Sequence, residues 1–170
     1  MSKKIRILFF GIFFGLFLGA YSIGATSKMS AQDSQEFLKE FQDATNGIDG
    51  FGIFLHNVSI GLPMFIPGFG IAWGSYNAWS IGVAFNALIS QLSQVSNIPP
   101  LAILLVSPFG LMELGAYSIA MSRSFLLAWV LIKRQPIKKE LQNTGIEIGV
   151  SIALLVVAAF VEFAMIHPKT

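Results

Sequence analysis

The chain has 170 residues, of which 54% are hydrophobic and 12% charged, with a formal net charge of +2 and no cysteine. A soluble domain carries about 25% charged residues, so this balance excludes an ordinary water-soluble globule and points to lipid as the surrounding medium. The small net charge, with its Lys and Arg in short clusters, excludes a nucleic-acid-binding face, and the absence of cysteine excludes disulfides, thiolate catalysis and cysteine-held metal centres.

Lys3, Lys4 and Arg6 precede an apolar run from Ile7 to Ile23, near the roughly 20 residues that cross a hydrocarbon core. Ala20, Gly24 and Ala25 also fit a signal-peptide cleavage region, but with Met1 retained the segment reads as an uncleaved transmembrane anchor over 1–25. Gly11, Gly15 and Gly19 recur at four-residue spacing, which gives one side of the helix a smooth face for close packing.

Residues 26–49 read as an external amphipathic segment. Ser30 is placed to cap a helix with Phe37, Leu38 and Phe41 on one side and Asp33, Glu36, Lys39, Glu40 and Asp43 on the other, the pattern of a helix lying on a membrane or on its own bundle.

From residue 50 a transmembrane domain is expected to run to residue 170. Gly50 to Leu92 is almost free of charge, and Pro63 with Pro67–Gly68 divides it into two spans. The second carries Gly70, Gly74, Ala78, Gly82 and Asn86 along one face, so another helix can approach closely there. Pro99, Pro100 and the 108–110 region cut the next apolar stretch into a short piece, Leu101 to Ser107, and a full span. The short piece cannot cross alone and reads as re-entrant or interfacial. The full span has its own small-residue stripe at Ala116, Ala120, Ser124 and Ala128. After a link containing Lys133, Arg134, Lys138 and Lys139, a last span runs to Ile166, with Gly145, Gly149 and Ala153 on one side.

Basic flanks resist translocation, so both Lys/Arg clusters belong in the cytoplasm. Five crossings satisfy both clusters. The expectation is an all-α, polytopic transmembrane bundle in the cell membrane, with a cytoplasmic amino terminus and an external carboxy terminus.

His56, Asn57, Asn77, Asn86, Glu113, Arg123 and Glu162 fall inside the apolar spans, where a charge facing lipid costs a few kcal/mol. They are expected to face inward, with His56, Asn57, Asn77, Glu113 and Glu162 forming a buried polar cluster. Two carboxylates and a histidine suit a divalent ion or a proton, but no spacing matches a known metal or nucleophile motif. Hydrogen bonding between helices is the expected role. Arg123 is expected to reach the inner surface or bond another helix, and Trp73, Trp79 and Trp129 to lie at interfaces or in packing. No catalytic residue, metal or cofactor is expected.

Three stretches carry a family resemblance. His56–Asn57, Pro67–Gly68 and the run from Tyr76 to Gly82 resemble an asparagine-rich helix pair, in which Asn-Gly stands where Asn77–Ala78 is here. The run from Pro108 to Leu114 resembles a Pro-His-Gly-x-x-Glu-Leu motif, with Phe109 in place of the histidine. The run from Ala158 to Phe163, followed by Pro168, resembles a carboxy-terminal Ala-x-x-Glu helix. Over 49–168 the chain thus resembles the stage II sporulation protein M family of integral membrane proteins. The resemblance implies a membrane scaffold, since the name-giving member is similar to one that recruits cell-wall hydrolases, and Phe109 removes any proton or metal role that the family's histidine implies.

The expected function is a non-enzymatic scaffold or accessory subunit of a membrane complex, in contact with lipid and with other integral membrane proteins as a hetero-oligomer, and without nucleic acid. A transporter or channel subunit is the alternative that inward polar residues suggest. A further alternative is an accessory chain of a membrane oxidase or monooxygenase whose metal lies in another subunit.

Overall fold

The computed structural model describes residues 3–27, 47–91 and 99–167, with five single positions between 28 and 46. The amphipathic helix expected over 30–44 falls largely outside the described residues. Among those described there are six α-helices and no strand. They are α1 (Lys3–Ala25), α2 (Gly50–Gly61, running into a 3-10 turn at Leu62–Phe65), α3 (Phe69–Gln91), α4 (Pro100–Val106), α5 (Pro108–Ile132) and α6 (Lys138–Ile166).

Local chemistry sets the breaks. Asp49 caps α2, its carboxylate accepting from the Gly52 N–H at 2.7 Å. Pro63, Pro100 and Pro108 open the 3-10 turn, α4 and α5, where a missing N–H costs nothing. Ser107 is extended, as the residue before a proline is biased to be, and this separates α4 from α5. Gly68 takes φ +77°, a value open to glycine, and so lets the chain reverse from the 3-10 turn into α3. At the α5–α6 link Arg134 occupies the left-handed region at φ 53°. There the Gln135 N–H reaches the Val130 carbonyl and the Arg134 N–H reaches that of Leu131, both at 3.0 Å, so the helix ends with its last carbonyls satisfied.

The helices alternate in direction around α5. Phe9 and Phe13 of α1 meet Phe125, and Phe17 meets Tyr117, so α1 runs antiparallel to α5. Gly70 lies against Ser124 and Gly74 against Met121, which sets α3 antiparallel to α5 as well. Ser151 of α6 donates to the Ala116 carbonyl at 3.3 Å, and Gly50 and Gly61 of α2 lie beside Phe160 and Leu155 of α6. Thus α1, α3 and α6 point one way, α2 and α5 the other. The end that holds Lys3, the 3-10 turn and the 133–137 link is called the near end here. The far end holds Ala25, Gly50, Pro108 and Ile166, together with short α4, where Tyr21 donates to the Pro100 carbonyl at 3.0 Å.

Three helices are long and apolar enough to cross a membrane: α1, α5, and α6 from Glu140 to Ile166. The count of five read from the sequence exceeds this. With its 3-10 turn, α2 rises only about 26 Å, short of the roughly 30 Å hydrocarbon core. α3 has the length, but Ser75, Asn77, Ser80, Asn86 and Gln91 dilute its apolar character.

Candidate functional site

Two polar clusters lie within the bundle. The far-half cluster is built on α2, α5 and α6. Asn57 points inward from α2, buried, and its side-chain amide donates to Glu113 Oε1 at 2.6 Å. Glu162 on α6 lies close enough for its charge to act on Glu113 and on the buried phenol of Tyr117, one turn along α5 from Glu113. The amide fixes one carboxylate oxygen of Glu113, with the second acid near it in the same half of the bundle, an arrangement able to hold a proton.

The other two residues expected in this cluster are placed elsewhere. His56 is exposed on the outer side of α2, because neighbours in a helix lie about 100° apart and Asn57 occupies the inward position. Asn77 is buried but donates to the Trp73 carbonyl of its own helix at 2.7 Å, and Asn86 donates to the Ser27 carbonyl at 2.9 Å. Among the described residues no three His, Asp or Glu side chains converge as metal ligands would.

The near-half cluster is a chain of alternating charge. Arg123 is 0% exposed. Its Nη1 donates to Glu140 Oε2 at 2.9 Å and its Nε to Glu147 Oε2, while Arg6 of α1 pairs with the other oxygen of Glu147. Two cations and two carboxylates balance, which is the condition for burying charge in hydrocarbon. Among the buried side-chain nitrogens and oxygens of the described residues, Arg123 Nη2 alone has no hydrogen-bond partner. The bond to another helix expected for Arg123 is therefore made to α6. Its partners were not singled out from the sequence, although Glu147 falls inside the last predicted span and Glu140 lies seven residues earlier, on the same helical face.

The small-residue faces divide into two kinds. On α3 a Cβ at Gly70 would strike the Met64 carbonyl, at Gly74 the Met121 side chain, and at Gly82 the Tyr21 carbonyl; Ala116 and Ala120 of α5 are buried. By contrast, Gly11, Gly15 and Gly19 of α1 and Gly145 and Gly149 of α6 have nothing within 4 Å of a would-be Cβ. α1 instead packs through Phe13, Phe17, Tyr21 and Gly24, with Gly24 against the Trp79 backbone. The face expected to pack on α1 is thus unoccupied among the described residues.

Set against known proteins, the sequence model of the family described as Stage II sporulation protein M matches residues 5–165, which reaches back through α1. No curated protein and no solved structure matches.

Proposed function

The chain belongs to the stage II sporulation protein M family, and from that premise we propose that this membrane protein is a non-enzymatic scaffold or accessory subunit, holding other integral membrane proteins beside it. The observation that carries the reading is the pair of open glycine faces, Gly11, Gly15 and Gly19 on α1 and Gly145 and Gly149 on α6. Glycine inside a helix costs about 1 kcal/mol relative to alanine, and in lipid it returns that cost where another backbone comes close. No described helix of this chain does so at these positions. Partner helices are the occupants that fit. Five crossings with a cytoplasmic near end agree with the alternating helix directions, α2 and α3 crossing where neighbouring helices shelter them.

Replacing Gly15 or Gly149 by Leu fills each face without touching the chain's own packing. Native mass measurement after mild detergent extraction is expected to show a larger hetero-complex for the parent and its loss in these variants. A lone monomer at every detergent level in the parent would exclude the scaffold reading.

A transporter or channel subunit is the second reading, supported by the Asn57–Glu113 bond with Glu162 beside it. It requires that reconstituted vesicles pass an ion or small solute and that Glu113→Gln change that flux. Vesicles that stay tight in both cases would remove it.

A further inference from the structure

Glu113 and Glu162 sit in helices long and apolar enough to cross a membrane, each half-buried and about 6–8 Å from the far end of its helix. Side chains lean toward the start of their own helix. On antiparallel α5 and α6 this tips Glu113 toward the far end and Glu162 toward the near end, so the two carboxyls approach and their charges interact. Tyr117, one turn along α5, leans the same way as Glu113 and feels both charges. Its side chain is 2% exposed, with the ring stacked on Phe17 of α1 at 5.8 Å and set beside Gly61 of α2. Among the described residues the hydroxyl makes no hydrogen bond, and the trace of surface that Tyr117 keeps lies at that hydroxyl. A buried phenol ordinarily finds a partner for its O–H, and the groups toward which this one leans are the two acids.

Among the described residues no cation pairs with either acid. From α2 comes the neutral Asn57 amide, with His56 turned outward. From α1 comes Phe17, and Tyr21 beyond it is bound to the Pro100 carbonyl. α3 and α4 carry no charged side chain. Arg123 stands ten residues from Glu113, about 15 Å along α5, and is taken by Glu140 and Glu147. At the helix ends, Asp49 holds the Gly52 N–H and His167 lies against Phe163. Two neighbouring carboxylates without a counter-charge repel, and among apolar helices they are not both kept ionised. We propose that Asn57, Glu113, Tyr117 and Glu162 form a proton-binding site, in which the two carboxyls together hold one proton while the Asn57 amide and the Tyr117 hydroxyl donate to the carboxylate left charged. The proton comes from water at the far surface, bonds to one carboxyl oxygen and leaves the pair with a single negative charge. Both acids are half-buried near that surface, so exchange needs no path through the bundle. The site lies in the cluster behind the second reading but does not depend on transport: tight vesicles would remove a flux and leave proton binding untouched.

The test is infrared spectroscopy of the full chain in an ester-free detergent at neutral pH, where the carbonyl stretch of a protonated carboxyl stands apart from the bands of carboxylates and is identified by its shift on deuterium exchange. The parent is expected to show one protonated carboxyl per chain. Glu113→Gln and Glu162→Gln should each abolish it, because the two acids hold the proton against each other and neither requires it alone. Tyr117→Phe should keep the band and shift its frequency, since a hydrogen bond within the pair is lost. Glutamine preserves the shape of glutamate, circular dichroism checks that each variant folds, and the parent spectrum is decisive without any variant. A parent with no protonated carboxyl overturns the proposal and leaves both acids ionised, as a bound cation requires. A band that survives in both Gln variants places the proton elsewhere, and one that survives in a single variant assigns it to one acid alone; either result overturns the shared site. An unchanged band in Tyr117→Phe overturns the part given to its hydroxyl.

Discussion

Glu147 is the residue on which the near-half cluster turns. Its two oxygens serve different helices, one pairing with Arg6 of α1 and the other with Arg123 of α5, while its own backbone lies on α6. Glu147→Gln keeps the shape and the hydrogen-bond acceptor but removes the charge that balances two arginines. Removing one partner of a buried pair destabilises by about 3–5 kcal/mol, and the lower end is expected because Glu140 still holds Arg123 at 2.9 Å. Arg6→Gln should cost much less, about 1 kcal/mol or under, since the Arg6 side chain keeps 26% of its exposure and water compensates it. Equilibrium unfolding in mixed micelles distinguishes the two, and equal losses would mean that Arg6 rather than Arg123 depends on Glu147. The cluster was only half legible in the sequence. An arginine at the depth of Arg123 must be paired, which its place in an apolar run already says, but which acid it meets depends on how α5 and α6 fold back on each other. The far-half cluster shows the same limit: Asn57 and Glu113 are joined across 56 residues of sequence, whereas His56 next door is turned away by the helical rotation alone.

Among the elements, α1 and α3 make the tightest crossing. Gly24 meets the Trp79 backbone and Gly82 meets the Tyr21 backbone, each at a distance a Cβ would make impossible. A mid-helix glycine sacrifices about 1 kcal/mol of helix stability, so these two are retained for the approach they permit. Gly82→Leu would have to push backbone aside, and a loss near 3 kcal/mol, the upper end for overpacking, is expected. Gly15→Leu, which meets nothing within 4 Å, should leave stability within about 0.5 kcal/mol. Thermal unfolding of the two variants in one detergent tests the pair, and a Gly82→Leu variant as stable as the parent would contradict the crossing. Four-residue spacing made both stripes visible in the sequence, since residues i and i+4 share a helical face. It does not reveal which stripe a chain uses on itself. Here the choice lies with the larger side chains: Phe13, Phe17 and Tyr21 on the opposite side of α1 bury more apolar surface than a glycine face offers, and they turn Gly11, Gly15 and Gly19 outward.

For the whole molecule the open question of greatest consequence is which end faces the cytoplasm. Lys3, Lys4 and Arg6 start α1 at the same end of the bundle where Lys133 and Arg134 close α5 and Lys138 opens α6, so the basic residues at these three helix ends gather on one side. The far end carries no such excess at Gly50, Pro108 or Ile166. A flanking Lys or Arg opposes translocation, and with the basic residues of three helix ends gathered on one side, against single lysines after Ala25 and Ile166, the cost of the inverted orientation accumulates across three helices. The chain has no cysteine, so single cysteines report location without interference. In intact cells Ser27→Cys at the far end is expected to react with a membrane-impermeant maleimide, and Gln135→Cys at the near end only after the membrane is opened. The reverse labelling would place the basic ends outside. It would also invert the position of the Asn57–Glu113–Glu162 cluster, which under the proposed orientation lies in the outer half and so within reach of protons and ions from the external side.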